Sequence, residues 1–135
     1  MRIIYGSKGM GKTKIMIDEA NACLESAKGH VVYITNTKRY SYDLKYQIRF
    51  IDVTDFDVQS EAGLRGFLKG IVAANADNEY IFLDGIARII DKPLAELSNI
   101  FGAIEMLEEK FNVNFILTCS ATLEELPDFV KKHVQ

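Results

Sequence analysis

Lys12 and Thr13 close the run Gly6-Ser7-Lys8-Gly9-Met10-Gly11-Lys12-Thr13, and Asp84 ends the apolar run Tyr80-Ile81-Phe82-Leu83. An amine, a hydroxyl, a carboxylate and a loop of closely spaced glycines are the groups that hold a polyphosphate together with a divalent cation. A loop wrapped around several negative charges must turn its backbone N–H groups inward with no Cβ in the way, which is the use of Gly6, Gly9 and Gly11. Lys12 supplies a mobile cation for β- and γ-phosphates, and the Thr13 hydroxyl is suited to ligate Mg2+. The octapeptide satisfies G-x-x-x-x-G-K-(S/T) at every fixed position. At ordinary residue frequencies a chain of this length meets those four positions by chance less than about once in a hundred sequences.

The elements around these residues must position them. Arg2 to Tyr5 is a short apolar strand leading into the loop, and Met16, Ala20, Cys23, Leu24 and Ala27 form a stripe that predicts a helix from Lys12 to Ala27, stopped by Gly29. The start of that helix presents unpaired N–H groups and the positive end of its dipole to the loop. Val31 to Thr35 is a continuous β-branched run of the kind found in central parallel strands, so the opening reads as one βαβ unit with a right-handed crossover. Asp84 then ends a fully apolar strand. A terminal aspartate there is also a turn former, and its pairing with the complete loop is what points to Mg2+ shared with Thr13.

The remaining segments are read in the same way. Asn36 to Tyr42 is a loop, and Gln47 to Val53 alternates as a strand would. Asp52, Asp55 and Asp57 have a spacing that points only weakly to metal, since neighbouring aspartates more often serve turns and caps. Ser60 is a cap for a helix carrying Leu64, Phe67, Leu68, Ile71 and Val72, with Gly63, Gly66 and Gly70 on another stripe. Three glycines there imply either a backbone packed close by or a weak helix. Pro93 is expected to begin a further helix with Leu94, Leu97, Phe101, Ile104 and Leu107 inward, ending near Lys110. Val113 to Thr118 is a last strand running into Cys119-Ser120-Ala121-Thr122. Polar residues at the carboxyl end of a parallel strand sit where ligands bind, so Thr118 or Ser120 is a candidate to meet a γ-phosphate or an attacking water, with helix capping as the alternative. The tail from Pro127 to Gln135 is short and amphipathic.

Composition bounds the reading. The 135 residues fit a single domain, 1–135, and 48% hydrophobic with 26% charged residues is globular composition that excludes extensive disorder. A net charge of −3 argues against a protein that coats nucleic acid broadly. No apolar stretch approaches the roughly 18 residues needed to span a bilayer, and a glycine turn by Gly6 leaves no room for a secretory signal. Cys23 and Cys119 make neither a metal spacing nor a disulfide framework, so a cytoplasmic protein with reduced thiols is expected.

Taken in order, the loop, Asp84 and the Thr118/Ser120 strand resemble the additional-strand class of P-loop ATPases, the group containing RecA-like, AAA-like and motor-type enzymes. The resemblance implies a three-layer α/β fold, mainly parallel, with helices on both faces and core order 1-4-3-2, counting the four strands at Arg2–Tyr5, Val31–Thr35, Tyr80–Asp84 and Val113–Thr118. It implies that Gly6, Ser7, Lys8, Gly9, Met10, Gly11, Lys12 and Thr13, with the adjoining Lys14, bind nucleotide, that Thr13 and Asp84 hold Mg2+, and that Thr118 or Ser120 is the sensor. Lys12 would then also act in catalysis. Members of the class usually carry a catalytic glutamate directly after the strand-ending aspartate, where this chain has Gly85, so hydrolysis is expected to be slow or to lean on Glu61, Glu79, Asp55 or a partner chain. The class also usually continues into a fifth strand where this chain ends, which suggests a minimal version or one completed by assembly. Arg88 is a candidate arginine finger across a subunit boundary, with an ordinary surface arginine as the plainer alternative.

The function these readings imply is a small cytoplasmic Mg2+-dependent ATPase, binding ATP or another nucleoside triphosphate and coupling its state to a partner or nucleic acid, with homo-oligomers a further expectation. One alternative is a nucleoside or nucleotide kinase, because the tyrosine-rich segment and the glycine turn are similar to thymidine-kinase-like enzymes. Another is a regulatory module that binds nucleotide without turnover, as Gly85 suggests. For nucleic acid, Lys38, Arg39, Lys45 and Arg49 interleave with Tyr40, Tyr42 and Tyr46, combining phosphate-neutralising charge with stacking faces; the alternatives are an exposed loop with tyrosines folded over the core, or one tyrosine stacked on adenine.

Overall fold

The computed structural model describes residues 1–134. Five strands, β1 (Arg2–Gly6), β2 (His30–Thr35), β3 (Arg49–Asp52), β4 (Asn78–Leu83) and β5 (Asn114–Ser120), form one parallel sheet in the order β1-β5-β4-β2-β3. The four strands of the expected core order lie side by side in that order, and β3, within the Gln47–Val53 segment also read as a strand, extends the sheet beyond β2. Five α-helices accompany them among the described residues: α1 (Lys12–Cys23) between β1 and β2, α2 (Glu61–Ala74) between β3 and β4, α3 (Ile86–Ile90) and α4 (Ser98–Phe111) between β4 and β5, and α5 (Asp128–Lys131) after β5.

The apolar runs of the strands are explained by two cores, one on each face of the sheet. Alternate residues point to opposite faces. Ile4, Val31, Tyr33, Phe82 and Ile116 therefore pack with Met16, Ile17 and Ala20 of α1. Their neighbours Ile3, Val32, Ile34, Ile81, Leu83, Phe115 and Leu117 pack with Leu64 and Leu68 of α2, Ile86 and Ile89 of α3, and Ile100, Phe101 and Ile104 of α4. The molecule thus has three layers, with α1 on one face and the other helices on the opposite one. No helix among the described residues is long and apolar enough to cross a membrane.

Several local expectations are corrected. The helix predicted to run to Ala27 ends at Cys23, and residues 24–26 continue only as turns, with the Ala27 N–H donating to the Cys23 carbonyl at 2.8 Å. The glycine at position 29 answers a different need, because a Cβ there would overlap the Asp77 carbonyl oxygen. Pro93 does not open α4: its ψ of 143° is extended, a 3-10 turn over Leu94–Glu96 follows, and α4 starts at Ser98. The stripe of glycines on α2 faces open space at Gly66 and Gly70, so no backbone packs against it. Only Gly63 has a near neighbour, the Ser60 hydroxyl that caps the helix through the Gly63 N–H at 3.0 Å.

Candidate functional site

The carboxyl ends of β1, β5, β4 and β2 meet on the α1 side. Register pairs Ile4 with Thr118, Leu83 with Leu117 and Ile34 with Leu83, so the residues one step further on come level. Strand alternation turns Tyr33, Asp84 and Thr118 toward the same face. The Asp84 N–H donates to the Ile34 carbonyl at 2.8 Å, which continues the ladder one residue past β4 and fixes the backbone. Its carboxylate, buried at 4% exposure, then accepts from the Thr118 hydroxyl at 2.8 Å on one oxygen and from the Tyr33 hydroxyl at 3.0 Å on the other. The Thr118 hydroxyl also accepts from the Gly85 N–H at 2.8 Å, which leaves its proton for Asp84. Burial and the Asp84 charge push the Tyr33 phenol far above its ordinary pKa, so it remains a donor at any working pH. Its ring is held between Phe50 and Phe82, stacked at 6.3 Å from each.

The glycine loop lies beside this carboxylate. Gly9 and Gly11 adopt φ of 89° and 83°, the left-handed region in which a side chain is strained. Within the loop the Met10 N–H closes a turn onto the Ser7 carbonyl at 3.2 Å, and the first α1 bond runs from Ile15 to Gly11. The N–H groups of Gly9, Gly11, Lys12, Thr13 and Lys14 find no protein acceptor among the described residues. Such a run of unpaired donors at a helix start forms an anion-binding concavity. Lys12 is buried, and its ammonium donates to the Gly6 and Ser7 carbonyls at 2.9 and 3.0 Å. Burial lowers its pKa, with Asp84 acting in the opposite direction.

Both parts open onto one cavity of about 300 Å3, lined by Lys8, Gly9, Gly11, Lys12, Thr13, Tyr40, Asp84, Gly85, Arg88, Thr118 and Ser120. The structure therefore brings together Lys12, Thr13, Asp84, Thr118, Ser120 and Arg88, all singled out from sequence. Gly6 and Ser7 contribute by holding Lys12. Met10 is exposed and outside the lining, and Lys14 turns away to pair with Asp18 at 3.3 Å. Thr118 is no helix cap. That role falls to Thr122, whose side chain and Glu125 form a reciprocal capping box over the turn Leu123–Glu125.

Gly85 has a local structural cause. Its φ is 84°, and a Cβ at this position would lie 2.5 Å from the Arg88 guanidinium. A glutamate here would be strained by the backbone, and the Arg88 guanidinium would have to shift to admit it. Arg88 itself faces the cavity of its own chain, with Nε donating to Asn36 Oδ1 at 2.8 Å and Nη2 to Thr35 Oγ1 and the Asp84 carbonyl at 3.4 Å each.

The substitute bases weighed from sequence do not reach the cavity lining. Glu79 stands at the opposite end of the sheet, accepting from the Lys28 and Gly29 N–H groups at 2.7 and 2.8 Å. Asp55 pairs with Lys38 at 2.7 Å, and Glu61 belongs to the first turn of α2. Asp52 also binds Lys38, at 2.9 Å, and caps the turn Val53–Phe56 through the Thr54 N–H, while Asp57 takes a left-handed conformation after that turn. These aspartates thus have cap and ion-pair roles, and no group of three or more potential metal-binding His, Cys, Asp or Glu side chains occurs among the described residues. A single carboxylate, Asp84, lines the cavity together with the Thr13 hydroxyl. That pair suits Mg2+, which keeps water and takes one or two carboxylates along with phosphate oxygens.

The segment marked for nucleic acid divides. Lys38 is taken by Asp52 and Asp55, and Tyr40 turns inward to the cavity under Arg39, whose guanidinium lies 5.3 Å from its ring centre. Tyr42 and Tyr46 are 98% and 92% exposed, with Lys45 and Arg49 also at the surface. Sequence reasoning missed Tyr33 as part of the site and gave Tyr40 another role. The available signal for Tyr33 was a phenol hydroxyl set between the aliphatic residues Val32 and Ile34. The chain matches no protein-family model, and no curated protein sequence matches it.

Proposed function

We propose that this chain binds a nucleoside triphosphate with Mg2+ in the cavity above β1, β5 and β4, and that it is a small P-loop ATPase coupling nucleotide state to a partner. The reading is carried by one observation: unpaired loop amides and the Lys12 ammonium open onto the same cavity as a buried, doubly hydrogen-bonded Asp84. The amides and Lys12 would bind the phosphates, and Lys12 would exchange the Gly6 and Ser7 carbonyls for phosphate oxygens. Thr13 and Asp84 would hold Mg2+, which when bound neutralises charge on the phosphates. Thr118 and Tyr33 keep the Asp84 carboxylate oriented, and Ser120 offers a further hydroxyl at the same mouth.

A second reading, a regulatory module that holds nucleotide without turnover, is favoured by the lining itself. Asp84 is the only carboxylate in that lining, and the left-handed backbone at Gly85 disfavours a glutamate at the position. Binding and turnover of ATP and GTP by the unaltered chain, Lys12→Ala and Asp84→Ala separate the cases. Loss of triphosphate binding in Lys12→Ala and a weakened Mg2+ dependence in Asp84→Ala are expected. Phosphate release identifies the ATPase, tight binding without release the module, and phosphate transfer to an added nucleoside the kinase. Unchanged affinity in Lys12→Ala would overturn the reading.

A further inference from the structure

The sheet ends at β3 with an open edge. No strand lies beyond it, and no other backbone segment bonds to Arg49–Asp52 among the described residues. Alternate N–H and C=O groups of an outer strand point away from the sheet, so this edge can pair with one more strand. Beside it runs a groove. Two adjoining cavities of about 450 and 490 Å3 share Arg49, Phe50, Ile51 and Ile71 as walls. The other side of the groove is α2, where Phe67, Ile71 and Ala74 recur at i, i+4 and i+7 and so lie on one helix face. Phe56, just after β3 and 59% exposed, lines the same groove with its ring 5.5 Å from that of Phe67.

We propose that this groove docks an extended segment of a partner protein, which adds a strand outside β3 and turns apolar side chains toward α2. Three features set the chemistry of the occupant. The free edge recognises main chain, which a nucleic-acid strand does not supply. Between β3 and α2 the walls are mainly apolar, and a strand presents every second side chain to them. The charges leave one cation over: Asp52 and Asp55 in the lining are both bound by Lys38, whereas Arg49, exposed and a wall of both cavities, makes no ion pair among the described residues. The docked segment therefore carries a carboxylate within reach of the Arg49 guanidinium. None of these groove residues lines the nucleotide cavity, so the docking site stands apart from the nucleotide-binding reading.

The probe is a pool of synthetic heptapeptides in which valine, isoleucine, leucine or phenylalanine alternates with aspartate, glutamate, serine or threonine, titrated into the full chain without nucleotide. The tightest peptide should bind saturably and move the backbone NMR signals of Arg49–Asp52. N-Methylation of its residues in one alternating phase should abolish binding, because those N–H groups face β3, and methylation in the other phase should leave it intact. Arg49→Glu, a change at an exposed position, should weaken that peptide on the order of tenfold and favour its counterpart with lysine in place of the acidic residues. Equal effects of the two methylation phases, no effect of Arg49→Glu, or a pool without a saturable binder would overturn the inference. So would dimers of the chain that exclude peptide, which put a second copy at the edge, or oligothymidylate taking the groove in place of every peptide. None of these results bears on the nucleotide cavity.

Discussion

Asp84 is the residue whose environment is most fully determined. Two hydroxyl donors and a ladder bond at its own N–H fix the direction of the carboxylate before any ligand arrives. Thr118→Val removes a donor from Asp84 and the acceptor of the Gly85 N–H together, so it should cost about 1–3 kcal/mol in urea unfolding, with Tyr33→Phe at the lower end of that range. Gly85→Glu tests whether the missing glutamate can simply be restored. A left-handed non-glycine residue costs roughly 1–2 kcal/mol, and the contact with Arg88 adds to it, so lower stability and no gain in phosphate release are expected; faster hydrolysis at unchanged stability would contradict the local geometry. The loop and Asp84 could be read from the sequence because their chemistry lies in contiguous residues. Tyr33 could not, since its hydroxyl reaches Asp84 across 51 positions by a register that no spacing in the chain records.

At the scale of elements, α2 is weaker than its amphipathic stripe requires. Gly66 and Gly70 face open space in helical backbone, so Gly66→Ala and Gly70→Ala should each stabilise the fold by about 0.5–1 kcal/mol, measured as a rise in the urea midpoint. Gly29→Ala should do the opposite because of the Asp77 carbonyl. The turn after β3 makes stability depend on acid. Burial acts to raise the Asp52 pKa, but hydrogen bonds from Lys38 and Thr54 outweigh it, and the carboxyl titrates below its ordinary value. With the folded pKa depressed, the stabilisation is complete above the unfolded value near pH 4 and is lost as pH falls through the folded one. Asp52→Asn should therefore flatten the dependence of unfolding free energy on pH between roughly 2 and 5; an unchanged slope would contradict the pairing. The central strands were legible as unbroken apolar runs because both of their faces are covered. The five-residue α3 is too short to show a period, and the start of α4 was misplaced because Pro93 belongs to the extended approach before a 3-10 turn.

For the whole molecule, the sheet sorts its polar residues by end. The cavity lies at the carboxyl ends of the strands, while Glu79 at the other end ties the β2 approach to β4. Tyr42 and Tyr46, with Lys45 and Arg49, project near the outer strand β3 and are the part of the tyrosine-rich segment still open to a partner. If that partner is single-stranded DNA, binding should weaken with salt and fall further in Tyr42→Ala and Tyr46→Ala, since base stacking contributes about 1–3 kcal/mol per base. No binding at low salt removes nucleic acid from the proposal and leaves the cavity untouched. The cavity itself is tested most directly by following backbone amide NMR signals during titration with ATP and Mg2+. The expected result is saturable movement of Gly9, Gly11, Lys12 and Thr13, absent in Lys12→Ala; signals at these four positions that stay fixed while ATP is added in excess would contradict a polyphosphate cradle.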